Sequence, residues 1–476
     1  MHVAFHLLLT LAATLGAQPI DIGSRRELFV DRFLIDKLVN ARLDLQRPRE
    51  MGPVHKFDKP WEGAFSGYST LIKDGNLYRL YYRGIPTSGS DGRTGEVTCY
   101  AESRDGIHWT RPNLGLHEVH GTKQNNVILA TPPFTHNFAP FLDTRPGVPA
   151  SERFKAIGGT GKSGLAAFAS ADGIRWRKLR EEPILPPGPA RYDSQNLAFY
   201  SEAEGRYVCY FRTFRRIGSQ NYRWISRTTS ADFLTWAPPE EMSFGDAPPE
   251  HLYTNQTSPY FRAPHIRISI AARFFPGRQV IDDAEAKAIN VDPKYYKDIS
   301  DAVLFSTRGG NTYDRTFLEA FIRPGLGLEN WVSRTNYPAW NVVQTGPAEM
   351  SLYVNKNYGQ PTAQLVRYTM RLDGFASVHA GAAGGELVTK PLRFKGSALD
   401  LNFATSAGGS VRVELQEANG TPIPGFTLAD ARELIGDQIS RPARWNAGGD
   451  VRSLEGKTVR IRFVLKDADL YSFRFQ

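Results

Sequence analysis

The sequence predicts an all-β protein, a five-bladed β-propeller followed by a β-sandwich. Three observations predict it: a seven-residue phrase that returns along the chain, strand patterns that recur between its copies, and a change of pattern after the last copy. The phrase reads Ser103-Arg104-Asp105-Gly106-Ile107-His108-Trp109, then Ser170-Ala171-Asp172-Gly173-Ile174-Arg175-Trp176, then Ser230-Ala231-Asp232-Phe233-Leu234-Thr235-Trp236. Degraded copies stand at Ser306-Thr307-Arg308-Gly309-Gly310 and Arg371-Leu372-Asp373-Gly374-Phe375. The third residue falls at 105, 172, 232, 308 and 373, a spacing that suits a propeller blade. Asp accepts nearby backbone N–H groups, Gly takes positive φ without strain, and the Trp is expected to wedge between neighbouring sheets. These aspartates are therefore turn residues, set apart from any chemistry.

Taken in order, residues 2–17 form a short apolar stretch ending in small residues, expected to be a secretory signal cleaved near Ala17-Gln18. The propeller is expected over 18–377 and the sandwich over 378–476, with residues 28–35 offered as the strand that closes the ring. Blade I contains two β-rich runs around Asp74-Gly75, within 68–83, and an outer strand at 97–103. Blade II uses 137–143, 154–157 and 165–170, and blade III uses 196–200, 207–211 and 222–229. Blade IV uses 257–261, 266–275 and 302–306, with a charged, Ala-rich insertion at 282–298 expected to be a short helix. Blade V is assigned an inner strand at 349–353 and a partner at 364–370. The small-residue stretch 379–385 marks the boundary, after which alternating runs at 399–403, 411–415 and 459–465 predict a sandwich.

The composition, 41% hydrophobic and 22% charged over 476 residues, is that of a globular chain long enough for two domains. Aromatic residues make up 12%, which suits β-structure and the flat surfaces on which sugar rings rest. The net charge of +9 is scattered among acids with no basic run, which argues against nucleic acid and leaves an anionic polysaccharide or simple solubility. No later segment is apolar enough for a transmembrane helix. Cys99 and Cys209, both mid-strand in different blades, are expected to be buried free thiols. No metal or cofactor signature is present, His251 and His265 lacking helical spacing, and a monomer is expected.

An exported propeller with these blade ends, the hairpin within 68–83 and an appended sandwich resembles glycoside hydrolase family 32 and its propeller relatives, families 43, 62 and 68. The resemblance implies a bacterial, secreted or periplasmic glycosidase that takes an oligo- or polysaccharide into a central funnel. It also implies acidic residues on inner strands, one ionised and one kept protonated. The chain departs from the family motifs. Asn-Asp-Pro-Asn-Gly is missing, no carboxylate stands at 66–68, Asn137-Phe138-Ala139-Pro140 replaces Arg-Asp-Pro, and there is no Glu-Cys pair. The alternative is a carbohydrate-binding or interaction propeller without catalysis.

The candidate acids are therefore those whose own surroundings point to the funnel. Glu349, read as lying within an inner strand, either faces the funnel or incurs a desolvation cost, and is the leading candidate for the acid. Asp193, at the mouth of blade III, and Glu62, beside a Trp61 suited to stacking on sugar, are candidates for base or nucleophile; the bland readings are a strand-entry cap and a solvated loop acid. Asp58 ranks lower, and Asp143 reads as a turn residue. Glu250, His251, Tyr253, Asn255 and Arg262 in blade IV, with Asn137 and Gln344, are expected to bind substrate hydroxyls; an ordinary salt-bridged loop is the plainer reading. Convergence of two or three of Glu62, Asp193, Glu250 and Glu349 on one funnel favours an enzyme, and scatter favours a binding protein.

Overall fold

The computed structural model describes residues 18–89, 91–188 and 191–476, and the expected leader at 1–17 lies outside them. Five antiparallel sheets of four or five strands form a propeller, and a further ten-stranded β-assembly belongs to the C-terminal region. Blade I runs from its inner strand outward as Gly67–Asp74, Leu77–Gly84, Val97–Ser103 and Val127–Leu129. Blade II is Ala139–Leu142, Phe154–Thr160, Gly164–Ser170 and Arg177–Lys178. Blade III is Leu197–Ser201, Arg206–Ile217, Gln220–Ser230 and Glu240–Glu241. In blade IV an interrupted inner strand, His251–Leu252 and Ser258–Tyr260, precedes Ala263–Phe275, Ile299–Thr307 and Ala320–Ile322. The insertion of blade IV carries the expected helix, Asp283–Ala288, started by a capping box between Asp282 and Glu285.

Blade V corrects the sequence reading twice. Its inner strand is Tyr337–Pro338 and Val343–Gln344, so Glu349–Lys356 is the second strand and Gln364–Arg371 the third. The inner strand is broken at Asn341, which has φ of 76°, and so lacks the alternation by which strands are recognised. The ring is closed by Arg49–Lys56 pairing with the third strand, whereas Ile35–Val39 pairs in the C-terminal β-assembly. Gly52 and Pro53 disguise the closing strand, and they are tolerated because it is an outer edge with two register shifts. Inner strands of blades V and I then meet through a parallel bridge between Thr70 and Trp340.

Two compact units result. One comprises 29–31 and 44–377; the other comprises 378–476 together with 18–28 and 32–43, so most of the N-terminal segment assigned to the propeller joins the second unit. In that unit Leu399–Glu417 and Val459–Phe475 pair over nearly their whole length. The second of these strands turns back on itself near Asp467, at φ of 42°, bringing the Phe463 and Phe473 rings within 5.7 Å to form a sandwich core.

The phrase works as a hook onto the preceding blade. In its first three copies the Asp Oδ1 accepts backbone N–H groups two and three residues on, at 2.7–2.8 Å, and the Ser hydroxyl is bonded to the same Asp. Tyr353 of blade V donates to the Gly106 carbonyl at 2.6 Å, and Arg79 of blade I to the Asp172 carbonyl at 2.8 Å. A Cβ on Gly173 would stand 2.6 Å from the Tyr81 hydroxyl, so closeness as well as φ requires glycine there. Phe233 takes the same left-handed position, at φ of 72°, and packs against Phe141 of blade II. Asp373 accepts from Tyr260 of blade IV at 2.8 Å. The Trp176 ring lies between Tyr81 of blade I and Phe138 of its own blade, at centroid distances of 6.4 and 5.1 Å. Cys99 and Cys209 are buried free thiols.

His55, on the closing strand, is buried edge-on to Tyr82 and Phe57, and its Nε2 has no partner among the described residues. Burial, reinforced by the positive charges of Arg111 and Lys59, pulls its pKa from 6.5 to about 3. The unfolded chain thus takes up a proton at a pH where the folded chain refuses it, and stability falls as pH drops from 6.5 toward 3. Replacing His55 by Phe is expected to remove that slope: below pH 6.5, urea titrations should show the parent losing about 1.4 kcal/mol per pH unit relative to the variant.

Candidate active site

The five inner strands converge on an axis plugged by two amides. Gln195 donates through Nε2 to Thr70 Oγ1 at 2.8 Å and to the Tyr68 carbonyl at 3.0 Å. Gln256 donates to Gln195 Oε1 and to the Pro338 carbonyl, both at 2.8 Å. Beyond the plug in one direction, the strand ends enclose an apolar basin of about 530 Å³ lined by Leu71, Phe141, Phe199, Phe261 and Val343. In the other direction lie the strand beginnings, where charge collects.

Four blades enter their inner strands through a left-handed residue at this end: Tyr68 at φ of 49°, Asn137 at 51°, Gln256 at 51° and Asn336 at 60°. For a bulky residue such as Tyr68 that conformation costs of order 1 kcal/mol, and it persists where surrounding structure imposes it. An opening of about 1310 Å³ lies here among the loops of blades I to III, with Asp91, His136, Lys162, Arg191 and Asp193 in its wall.

Asp91 comes from the loop joining the second and third strands of blade I. Arg83 Nη1 donates to its Oδ1 at 2.9 Å and to Asn137 Oδ1 at 3.4 Å, while Nη2 reaches the Phe65 carbonyl and the Tyr358 hydroxyl at 2.9 and 3.1 Å. Burial would raise the Asp91 pKa, but the charges of Arg83 and Arg334 outweigh it and hold the carboxyl below its usual range. Beneath it the buried Glu96 accepts from Gly92 N at 2.8 Å and lies 3.1 Å from His136 Nδ1. The Asn137 amide nitrogen is 3.1 Å from His136 Nε2, so the ring donates from Nδ1 to Glu96 and accepts at Nε2. Asp91, Glu96 and His136 each offer a ligand atom within 4.8 Å of the others, a set able to hold a metal ion that no local spacing in the sequence announces.

Blade III supplies Asp193, largely exposed, ion-paired with the buried Arg212. Arg212 and Arg223 lie on one face of the long hairpin of that blade, and their guanidinium carbons stand 4.7 and 5.1 Å from the centroid of Tyr253. Arg334 of blade V completes the group at 5.4 Å, and Tyr253 packs on Tyr337 at 5.2 Å. Burial keeps the Tyr68 and Tyr337 phenols neutral by pushing their pKa well above 10.

Of the residues singled out from sequence, Asp193, Asn137 and Tyr253 are brought together here. Glu349 is not: it sits at the turn into the second strand of blade V, toward the opposite end of the axis, bonded to Arg367 and, at 2.7 Å, to Thr345. Glu62 is fully buried away from the funnel, bonded to Tyr82 at 2.5 Å, to the Lys59 N–H at 3.0 Å and to Arg111 at 2.9 and 3.1 Å. Trp61 is buried too and donates to Asn126 at 2.9 Å. Glu250 is tied up by Arg273 at 2.7 Å and Arg315 at 2.6 Å. His251 accepts from the Arg223 N–H at 3.3 Å and packs on Tyr222. Asn255 is buried, accepting from Thr257 N at 3.0 Å; Arg262 pairs with Asp373 at 3.2 Å; and Gln344 lines the apolar basin.

The residues missed were Asp91, Glu96, His136, Arg83, Arg223 and Arg334, with Arg212. Asp91 precedes a Gly and so reads as one more Asp-Gly turn. The sequence carries two signals: a loop of twelve residues, 85–96, where the same connection in blades II and III takes three and two, and a blade III hairpin of strands 12 and 11 residues long studded with arginines.

No protein-family model matches this chain, and no curated protein matches it in sequence. Solved structures do resemble it in shape. An N-acetylgalactosamine deacetylase from F. plautii, in complex with blood group B trisaccharide, is 13% identical, with a TM-score of 0.46 over 70% of this chain and 96% of that one. A β-1,2-mannobiose phosphorylase from Listeria innocua is 10% identical, with a TM-score of 0.45 over 69% and 97%. A fructofuranosidase from Schwanniomyces occidentalis is 14% identical, with a TM-score of 0.38 over 91% and 99%.

Because the fully buried Glu62 carboxylate accepts from Arg111, which is partly exposed and also pairs with Asp58 at 3.3 Å, Glu62→Gln removes one charge-assisted pair and is expected to cost about 2 kcal/mol of stability. Chemical denaturation should show this loss, while any funnel activity per folded molecule stays within about twofold of the parent.

Proposed function

We propose that this chain is an exported, glycan-active enzyme of glycosidase type that takes its substrate at the end of the axis where the inner strands begin. The observation that carries the reading is the pair Asp91 and Asp193, carboxylates from two different blades in the wall of one large opening. Glycoside hydrolysis needs two carboxyls on either side of the scissile bond, one of them ionised. Asp91, held ionised by Arg83, is assigned the base or nucleophile. Asp193 is assigned the proton donor, a role open to it once a bound group takes over Arg212. His136, oriented by Glu96 and Asn137, positions the floor beside Asp91. Among the described residues no helix is long and apolar enough to cross a membrane.

A second reading has one observation in its favour. Both aspartates are ion-paired with arginines, as in a binding funnel that performs no chemistry. Incubating the purified protein with aryl glycosides and with plant and microbial polysaccharides separates the two. The enzyme reading expects turnover, a loss in kcat/KM of about 10²–10⁴ in Asp91→Asn and Asp193→Asn, and near-parental turnover in Glu349→Gln. Glycan binding without turnover, unchanged in Asp91→Asn, supports the binding propeller.

A further inference from the structure

Three guanidinium groups from two blades gather on one phenol ring. Arg212, Arg223 and Arg334 stand 4.7, 5.1 and 5.4 Å from the Tyr253 centroid, and Arg83 stands 4.7 Å from the ring of Tyr68 nearby. Arg83 is answered by Asp91, and Arg212 by Asp193 through a single nitrogen. Among the described residues, Arg223 and Arg334 have no carboxylate partner; Arg334 makes a long bond of 3.4 Å to the Tyr295 hydroxyl and otherwise lies over aromatic rings. The Arg212 side chain is 3% exposed, yet among the described residues its Nε and Nη1 have no hydrogen-bond partner, and Arg223 Nε is likewise buried without one.

Aromatic faces relieve part of the cost of such an array, but they accept no hydrogen bond in the guanidinium plane. Buried N–H donors are normally paired, and like charges this close repel. Arg223 and Arg334 are only half-buried, and Arg212 links them through its Asp193 pair to the opening, whose wall also carries the exposed Lys162 and Arg191. A planar or tetrahedral oxyanion matches this fork of donors, and a neutral hydroxyl does not.

We infer that the funnel recognises an oxyanionic substituent of its glycan, a hexuronate carboxylate or a sulfate ester, through Arg223 and Arg334 backed by Arg212. The inference rests on the glycan reading above and narrows it to acidic glycans. Binding of that substituent also loosens the hold of Arg212 on Asp193, which couples recognition of the anion to the freedom of the second carboxylate.

The test is isothermal titration of the full chain with acidic plant, algal and animal oligosaccharides in three arms: uronate-bearing, sulfated without uronate, and neutral, with inorganic sulfate as a fourth. One acidic arm is expected to bind at least tenfold tighter than the neutral arm at low salt, its advantage shrinking at high salt, roughly as screening of partly exposed charges requires. Which acidic arm it is separates carboxylate from sulfate. Arg334→Gln and Arg223→Gln are each expected to lose that advantage while the ligand-free melting temperature holds or rises, because each removes a repelled charge. Equal affinity for neutral and acidic glycans, or a fall in melting temperature with unchanged affinity in both variants, overturns the inference and leaves the glycan reading standing. Binding of free sulfate as tight as any glycan overturns it in favour of a simple anion site, and no binding in any arm overturns both readings.

Discussion

The hydrogen-bonded pair Gln195 and Gln256, lodged on the axis, is the interaction on which the rest of the propeller depends. Through Thr70 and the Tyr68 and Pro338 carbonyls it ties four of the five blades to one point. Amide N–H groups buried there must find acceptors, and the surrounding inner strands supply them to both glutamines. The plug also divides the axis. On one side the strand ends present apolar side chains, and on the other the left-handed strand entries splay polar groups around a mouth.

The blade-end phrase does at the rim what the glutamines do at the centre. Four of the five copies touch the preceding blade: Gly106 meets Tyr353, Asp172 meets Arg79, Phe233 meets Phe141, and Asp373 meets Tyr260. A ring held at its axis and its rim fixes blade angles within narrow limits. That rigidity lets short loops from separate blades hold Asp91, His136 and Asp193 around one opening, and lets three arginines remain near one tyrosine despite their repulsion.

The candidate site was legible only in part. Asp193, Asn137 and Tyr253 were found because they stand just before or within inner strands, where the phrase sets the phase of the blade. Glu349 falls outside the inner strand because that strand of blade V, bent at Asn341, does not alternate, and the first regular run after it, Glu349–Lys356, is the second strand. Glu62 and Trp61 look like a sugar-stacking pair in a loop, yet the fold turns both inward, where Arg111 and Asn126 satisfy them. Asp91 was hidden by resemblance to the turn aspartates, although its loop is longer than a turn requires. The arginines were hidden by dispersal, since a net charge of +9 spread evenly along a chain carries no sign of where it is concentrated in space.

By itself the sequence determined what short-range chemistry determines: an Asp-Gly turn closes within four residues, a strand alternates over six or eight, and a repeat of such units counts blades. That was enough for the fold class, the five blades, the inserted helix and the C-terminal sandwich strands. Tertiary structure alone decided which strand closes the ring, which strand of blade V is innermost, and which charges meet. Those outcomes join residues far apart in the chain, as when Arg83 bonds Tyr358 across 275 positions. Pairings of that kind follow from the register of whole sheets around a shared axis, and no local pattern encodes them.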